Sequence, residues 1–288
     1  MRKILALALT FVMALSTLTA CGGSAGNSGS GAKTVKVIDI ELTNEEYAFG
    51  VDKNQPELLN QVNDFIKEIK SDGTFDEICN RYFGDGTPVA VTSAEPDETK
   101  DQLVVATNAS FEPFEYTKGG AEYYGIDMEI AALLAEELGK ELVIQHMDFN
   151  AVCLAVGQQK CDIAMAGLTI AEDRKEHVNF SDSYYNASQK LIVMSDCTEF
   201  DACKTADDVK AILKGKDTSC KIGVQTGTTG QFYCEGDEEL AFEKLPVDTI
   251  GYANGSLAVQ DLINGGLTYV IIDSAPAVCI VDAINEVQ

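Results

Sequence analysis

Histidine and paired cysteines are scarce in this sequence, and their scarcity excludes several kinds of site. The chain of 288 residues has only two histidines, His146 and His177, and none of its nine cysteines forms a Cys-x-x-Cys pair. Zinc sites are built from such residues at short spacings, so we expect no metal site. No Ser-His-Asp or Cys-His set for nucleophilic catalysis is visible either. We therefore expect no catalytic residues, no enzyme activity and no cofactor.

Positive charge is also scarce. The chain has 21 lysines and arginines against 46 aspartates and glutamates, a formal net charge of −25. A surface this acidic repels phosphate backbones, so we expect no nucleic acid partner. After the N-terminal segment, no apolar run approaches the roughly 18 residues that span a bilayer. Apolar residues nevertheless make up 45% of the chain, which is enough for a substantial core.

The N-terminus has the features of an export signal. Two basic residues precede an apolar run at residues 4–18, and small residues lead into a cysteine in the motif Leu-Thr-Ala-Cys at 18–21. This pattern is typical of a secretory signal peptide, here residues 1–20, and residues 21–32 are expected to form a flexible tether. The motif resembles the bacterial lipobox, which implies diacylation of Cys21 and anchoring at the extracytoplasmic side of the cell membrane. The alternative is a buried N-terminal helix with a chance cysteine.

Eight cysteines remain apart from Cys21, and an exported chain can oxidise them. The strongest candidates for disulfides are Cys197, Cys203 and Cys220, because they flank a polar, loop-like stretch. The sequence leaves open whether these cysteines pair or stay reduced.

Strands alternate with helices from residue 103 onward, which predicts α/β layers with parallel sheets. Before that point, residues 35–40 alternate as a short strand, and residues 54–71 place apolar side chains on one helical face. Residues 84–101 carry two prolines and two glycines among mostly polar residues and are predicted to be a linker. Because no internal repeat is found, one site is expected rather than two.

Four loops at the carboxyl ends of predicted strands carry the groups that a free amino acid requires. Its carboxylate needs a bidentate cation and N–H donors, its ammonium needs a carboxylate, and its body needs aromatic walls. Open α/β sheets bind ligands at this edge. The loops are residues 108–116, 166–174, 225–230 and 272–276. The third is a glycine-bearing turn entering a helix, which favours a nest of N–H groups for an anion.

These four loops, together with residues 125–127 and 179–181, resemble the periplasmic solute-binding proteins for polar amino acids. The resemblance covers nearly all of residues 35–288. It implies an α/β fold of two lobes joined by two crossing strands, the Venus-flytrap architecture, with the ligand between the lobes. It further implies a monomer whose partners are an ABC permease and ATPase.

Carried over by position, the resemblance implies a ligand site. Arg174 would clamp the ligand carboxylate, with Thr169 and Thr229 as further donors. Asp273, the Gly167 carbonyl and the Thr169 hydroxyl would hold the ammonium. Two aromatic walls, Phe111 and Phe149, would enclose the ligand. Three polar side chains would line the rest of the pocket, namely Asn108, Gln225 and Thr228.

Three of these roles have a plainer alternative. Arg174 could be a solvated helix arginine, Asp273 a helix N-cap, and Phe149 a core residue. Phe114, which lies in the first loop, is expected in the core rather than in the pocket wall.

Asn108 bears on the side chain of the ligand. Family members that bind basic side chains tend to carry an acid at this position. An uncharged amide disfavours a desolvated cation, so we expect a neutral or polar amino acid.

The segments follow one another in an order that differs from the family order, and this implies a circular permutation. In the family the chain begins with the strand found here at residue 103 and ends with segments like residues 47–83. The expected parts are lobe two at 33–42 and 189–288, lobe one at 48–83 and 102–183, hinges at 43–47 and 184–188, and a joint between the ancestral ends at 84–101. The alternative is a mis-assembled gene, but no segment is duplicated or lost.

The expected function is therefore an extracytoplasmic lipoprotein that captures an amino acid for an ABC importer. Two alternatives stay open. Some proteins of this fold are exported cyclohexadienyl or arogenate-type dehydratases, in which Arg174 could hold the substrate and a pocket carboxylate could act as general acid. The other alternative is an amino-acid sensor ectodomain, which neighbouring genes for a permease and an ATPase would exclude.

Overall fold

Two five-stranded sheets, each covered by helices, form the body of the molecule. The computed structural model describes residues 33–287. The predicted signal peptide, Cys21 and the predicted tether lie outside these residues. Lobe one and lobe two denote the parts of the chain that contain one of these sheets each.

The sheet of lobe one has, in spatial order, the strands β11 (Val178–Phe180), β3 (Gly50–Asp52), β10 (Ile163–Ala164), β5 (Gln102–Thr107) and β9 (Glu141–His146). The sheet of lobe two has the strands β1 (Val35–Ile38), β13 (Gln189–Met194), β16 (Tyr269–Asp273), β14 (Lys221–Gln225) and β15 (Asp248–Tyr252). A two-stranded ribbon consists of β2 (Glu45–Tyr47) and β12 (Tyr185–Ala187). A small sheet beside lobe one consists of β4 (Val91–Thr92), β8 (Glu122–Tyr124), β7 (Glu115–Thr117) and β6 (Ser110–Phe111).

The helices of lobe one are α1 (Pro56–Ser71), α2 (Thr74–Phe83), α3 (Ile126–Glu137), α4 (Phe149–Gly157) and α5 (Glu172–Lys175). Those of lobe two are α6 (Ala206–Lys214), α7 (Thr229–Glu235), α8 (Gly255–Asn264) and α9 (Ser274–Glu286).

Helix α1 illustrates how the sequence builds lobe one. Pro56 starts it, where the missing N–H costs nothing. Its apolar face buries Val62, Ile66 and Ile69 against the core that also contains Leu103 of β5. An early segment of the chain therefore completes the lobe whose central strands come much later in the sequence.

The sheets are mixed, so the expectation of parallel sheets is wrong in part. Strands β5, β9 and β10 run parallel in lobe one, as do β14, β15 and β16 in lobe two. In each lobe one strand runs against its two neighbours, β3 in lobe one and β13 in lobe two. Strand β3 directly follows the ribbon strand β2, and β13 directly follows the ribbon strand β12. The chain therefore enters each lobe through its antiparallel strand, starting from the side of the cleft. Helices connect the parallel strands instead.

Strand β1 pairs with β13 over four residues and so lies in the same sheet as β14. The Asn285 side chain of α9 accepts from the Val35 N–H at 3.1 Å and donates to the Val35 carbonyl at 2.9 Å. The first described strand is thus fixed to the last described helix.

The predicted linker, residues 84–101, follows the surface of lobe one with little regular structure. Its Val91–Thr92 strand pairs with β8, and the Val89 N–H donates to Glu129 of α3 at 3.0 Å. Tyr82 also donates to Glu129, at 2.6 Å. These bonds hold the segment on lobe one.

All eight cysteines of the described chain are free, including Cys197, Cys203 and Cys220. Within residues 33–287 no helix has the length and apolar character needed to cross a bilayer. Within the same residues, no group of three or more metal-ligating side chains converges.

Candidate functional site

The predicted loops of both lobes meet at one cleft beside the ribbon. In lobe one the contributing segments follow β5 and β10, and in lobe two they follow β14 and β16. Contacts between the lobes join Arg174 to Gly227 and Thr169 to Thr229. The structure therefore has the lobes in direct contact around the site.

Arg174 is a buried cation in this cleft, not a solvated helix arginine. It is 7% exposed, and its guanidinium lies 5.2 Å from the centre of the Phe149 ring. Nη1 donates to the Thr169 carbonyl at 2.7 Å, and Nη2 donates to the Gly227 carbonyl of lobe two at 3.0 Å. Among the described residues it forms no ion pair. A buried guanidinium that is held by carbonyl dipoles alone is suited to an anionic ligand.

Thr169 lies between the cationic end and the acidic end of the cleft. Its carbonyl accepts from Arg174, and its hydroxyl donates to Glu45 Oε2 at 2.7 Å. The same hydroxyl accepts from Thr229 at 3.1 Å. The two threonines thus link the lobes, and Thr169 places opposite charges on its two sides.

Asp273 occupies the acidic end at the carboxyl end of β16. It is buried, its side chain caps no N–H of α9, and it accepts a hydrogen bond from Tyr47. Burial and then the Glu45 charge raise the pKa of Asp273 to about 7, against lowering hydrogen bonds from Tyr47 and Gln189. No lysine, arginine or histidine of the described chain pairs with it. Asp273 is therefore a carboxylate that lacks a cation, and the helix-cap alternative fails.

Glu45 and Gln189 belong to the same cluster, and the sequence reasoning missed both. Glu45 is 5% exposed and accepts from Thr43 at 2.6 Å and from Gln189 Nε2 at 3.1 Å. Gln189 is fully buried, and its Oε1 has no partner among the described residues. The sequence Glu-Glu-Tyr has no alternation of hydropathy, and only the structure shows that Glu45 and Tyr47 are buried while Glu46 between them is exposed.

Asn108 and Gln225 face each other across the cleft as a pair of neutral amides. Asn108 Nδ2 donates to the Met147 carbonyl at 2.7 Å, and Gln225 Nε2 donates to Asn108 Oδ1 at 3.3 Å. Gln225 is buried, and its Oε1 has no partner in the described chain. This part of the cleft therefore presents an acceptor without a charge.

The aromatic residues divide between the site and the core. Phe149 lies against Arg174, and Phe111 lies beside Gly167, whose φ is +53°. Phe111 stacks on Phe114 with 6.1 Å between ring centres, and Phe114 packs edge-on against Tyr47 at 5.2 Å. Phe114 is almost fully buried and belongs to the core, as the sequence predicts.

The turn at residues 225–230 uses two of its donors within the turn and the helix that follows it. The Gly227 N–H donates to Gln231 Oε1 at 2.7 Å, and the Thr228 hydroxyl donates to the Gln225 carbonyl at 2.8 Å. These groups stabilise the turn itself. Across the cleft, the turn presents the Gly227 carbonyl to Arg174, the Thr229 hydroxyl to Thr169 and the Gln225 amide to Asn108.

Position 227 requires glycine for two structural reasons. Its φ is +80°, and a Cβ there would lie 1.8 Å from Asn150 Oδ1 of lobe one. Both the backbone conformation and the approach of the lobes require the missing side chain.

Two further acids lie behind the cleft. Asp127 accepts from the Gly167 N–H at 2.9 Å and from Tyr184 at 2.6 Å, and burial raises the pKa of Asp127 to about 7. Glu115 is fully buried with no hydrogen-bond partner in the described chain. Burial, with the Asp127 and Asp273 charges, raises the pKa of Glu115 well above its usual range. The raised pKa values favour the protonated, uncharged forms of both acids behind the acidic end.

Comparison with known proteins gives a family match. The family model for bacterial extracellular solute-binding proteins, family 3, matches residues 9–85 and 103–273. The arginine-binding extracellular protein ArtP of Bacillus subtilis is 33% identical over 142 residues, which cover 49% of this chain and 51% of that protein. The probable histidine-binding protein of Neisseria gonorrhoeae is 29% identical over 198 residues, covering 67% of this chain and 65% of that protein. The matches span about half to two thirds of these relatives.

Solved structures show the same fold. An ancestral amino acid-binding protein, described as a precursor of cyclohexadienyl dehydratase, superposes with a TM-score of 0.53 at 28% identity. The superposition covers 73% of this chain and 78% of that chain.

Proposed function

Because this chain belongs to the bacterial extracellular solute-binding proteins of family 3, we propose that it binds a free amino acid between its two lobes and delivers it to an ABC importer. Its fold is the two-lobed α/β fold of amino-acid-binding proteins. The observation that carries the proposal is the arrangement of buried charge along the cleft. Among residues 33–287, Arg174 has no anionic partner at one end, and Asp273 has no cationic partner at the other. A zwitterionic α-amino acid supplies both missing charges.

The side chain of the ligand is neutral or polar. The named relatives bind arginine or histidine. In this chain the corresponding part of the cleft is the Asn108–Gln225 amide pair, and the unpartnered Gln225 Oε1 needs a donor rather than a full positive charge. An amide or hydroxyl side chain provides such a donor.

A calorimetric screen of the twenty L-amino acids tests both statements. We expect at least one neutral or polar amino acid to bind and arginine, lysine and histidine to bind more weakly. Binding of none of the twenty would refute the function, and preference for a basic amino acid would refute only the ligand class.

The protein works as a lipoprotein at the extracytoplasmic side of the membrane, anchored through Cys21. The support is the lipobox-like motif and the extracellular relatives. Labelled palmitate should be incorporated in cells expressing the wild type and not in those expressing Cys21→Ser. Equal labelling would contradict the anchor.

The chain order is a circular permutation of the family order. Three observations support this: β1 completes the sheet of lobe two, Asn285 binds the backbone of Val35, and the family match is interrupted at residues 86–102, close to the expected joint. A rearranged gene that starts at residue 103, joins residue 287 to residue 33 through a short linker and ends at residue 85 should give a folded protein with unchanged affinity. An unfolded product would count against the permutation.

A dehydratase is the second candidate function. The raised pKa of Asp273, near neutrality and in the same cleft as Arg174, is compatible with a general acid, and the similar ancestral structure is described as a dehydratase precursor. We favour a binding protein because both named relatives are binding proteins. Loss of prephenate over time in the presence of the protein would establish the enzyme instead.

A further inference from the structure

Glu45 reaches the cleft from the ribbon rather than from either lobe. Strand β2 turns the Glu45 side chain inward and the Glu46 side chain outward. Glu45 contacts Thr169 of lobe one and Gln189 of lobe two. A single carboxylate on the crossing strand is therefore bonded to both lobes.

The surroundings of Glu45 have more hydrogen-bond acceptors than donors. Gln189 Nε2 donates to Glu45, and Gln189 lies opposite Asp273 in the strand register. Gln189 Oε1 is left without a donor, although the residue is fully buried. In the described chain neither Glu45 nor Asp273 forms an ion pair. Buried acceptors without donors are costly, so this cluster is built for a donor from outside the protein.

We propose that Glu45 is a second ammonium-binding carboxylate, so that the amino group of the ligand is held between Glu45 and Asp273 with Gln189 Oε1 as its third acceptor. The proposal rests on the function proposed above and deepens it. An ammonium group has three N–H donors, which matches the three acceptors. The site then selects a primary α-ammonium and discriminates against a hydroxyl at the same position.

Two carboxylates around one ammonium also couple binding to protons. The titratable groups facing the pair are Tyr47 and Glu115, with Tyr184 and Asp127 behind them, and the charged group Arg174 lies beyond Thr169. Without a cation, burial and then the Glu45 charge favour the protonated form of Asp273, whose pKa is raised to about 7. An arriving ammonium displaces that proton, so binding near pH 6.5 releases protons and affinity falls as the pH falls.

The experiment compares Glu45→Gln with Glu46→Gln, which removes an adjacent exposed charge from the same strand. The ligands are the tightest-binding of the twenty L-amino acids and its α-hydroxy analogue, measured by calorimetry at about pH 8. We expect Glu45→Gln to weaken the amino acid by about tenfold or more and the hydroxy acid by less than about twofold. Glu46→Gln should change neither.

The second readout is proton release, obtained at about pH 6.5 from the binding enthalpies in buffers of different ionisation enthalpy. Wild type and Glu46→Gln should release protons, and Glu45→Gln should release clearly fewer. Should Glu45→Gln not fold, as judged by its melting curve, Glu45→Asp replaces it and should keep both selectivity and proton release.

The outcomes separate the two proposals. If the wild type binds no amino acid, the proposed function fails and this inference fails with it. If the wild type binds but Glu45→Gln loses both ligands equally, or keeps the proton release, only the ammonium role of Glu45 is refuted. Loss of selectivity or of proton release in Glu45→Asp would also refute it.

Discussion

The two ends of the cleft hold their charges in different ways. At the cationic end, Arg174 is fixed by the backbone carbonyls of Thr169 and Gly227, which cannot titrate. At the acidic end, Asp273 accepts a hydrogen bond from the side chain of Tyr47 and is repelled by Glu45. The comparison teaches that the cationic end is preorganised by groups that do not titrate, whereas the charge of the acidic end depends on protonation and on a network of side chains.

The largest effect is expected at the cationic end. Arg174→Ala removes the only buried cation that contacts both lobes in the described chain and leaves two carbonyls without a donor. We expect amino-acid affinity to fall by roughly a hundredfold or more, because losing a buried charge partner costs about 3–5 kcal/mol. Calorimetry measures the loss, and the melting curve shows whether the variant is folded. Near-native affinity would contradict the role of Arg174.

The matching change at the acidic end is Asp273→Asn. It should weaken α-amino acids by several tens of fold, but α-hydroxy analogues far less, because a charged hydrogen bond is worth about 1.5–3 kcal/mol. Arg174→Ala should weaken both classes alike, since both carry the carboxylate. If Asp273→Asn lost affinity equally for amino acids and hydroxy acids, the acidic end would not distinguish an ammonium from a hydroxyl.

Gly227→Ala tests the close approach of the two lobes beside Arg174. The added Cβ meets Asn150 across the cleft, and the positive φ is strained for alanine. We expect about tenfold weaker binding for amino and hydroxy acids alike, because closure itself is opposed. Small-angle scattering with saturating ligand should give a larger radius of gyration than for the wild type. An unchanged radius and affinity would show that the lobes need not approach this closely.

The smallest effect is the pH dependence of stability in the ligand-free protein. The folded-state pKa of Asp273 is raised to about 7 from an ordinary value of 3.8, so the folded state binds a proton that the unfolded state releases. Stability from this group is therefore present below the ordinary value and is lost as the pH rises through about 7. Urea unfolding at several pH values should show a shallower decline for Asp273→Asn than for the wild type. Arg174→Ala should show the same dependence of unfolding free energy on pH as the wild type. If Asp273→Asn also showed the wild-type dependence, the raised pKa of Asp273 would not be the cause of the decline.

Several elements could be predicted because their sequence patterns are long. The apolar face of α1 and the strand β1 lie where periodicity predicts them. Short strands such as β3 and β11 were missed, because three residues carry no measurable period. Whether such a strand runs parallel or antiparallel to its neighbours depends on where the chain crosses between the lobes. No local sequence pattern predicts that crossing.

The sequence by itself determined the alternation of strands and helices, the acidic surface and, through motif resemblance, the candidate residues Arg174 and Asp273. It also determined that Asn108 is uncharged. Only the tertiary structure decided that Glu45 and Gln189 join Asp273, although 144 residues separate the first two, and that Arg174 is held by carbonyls of both lobes. The physical reason is that local patterns report whether a residue is buried, while the partner of a buried polar group is set by the path of the chain through both lobes.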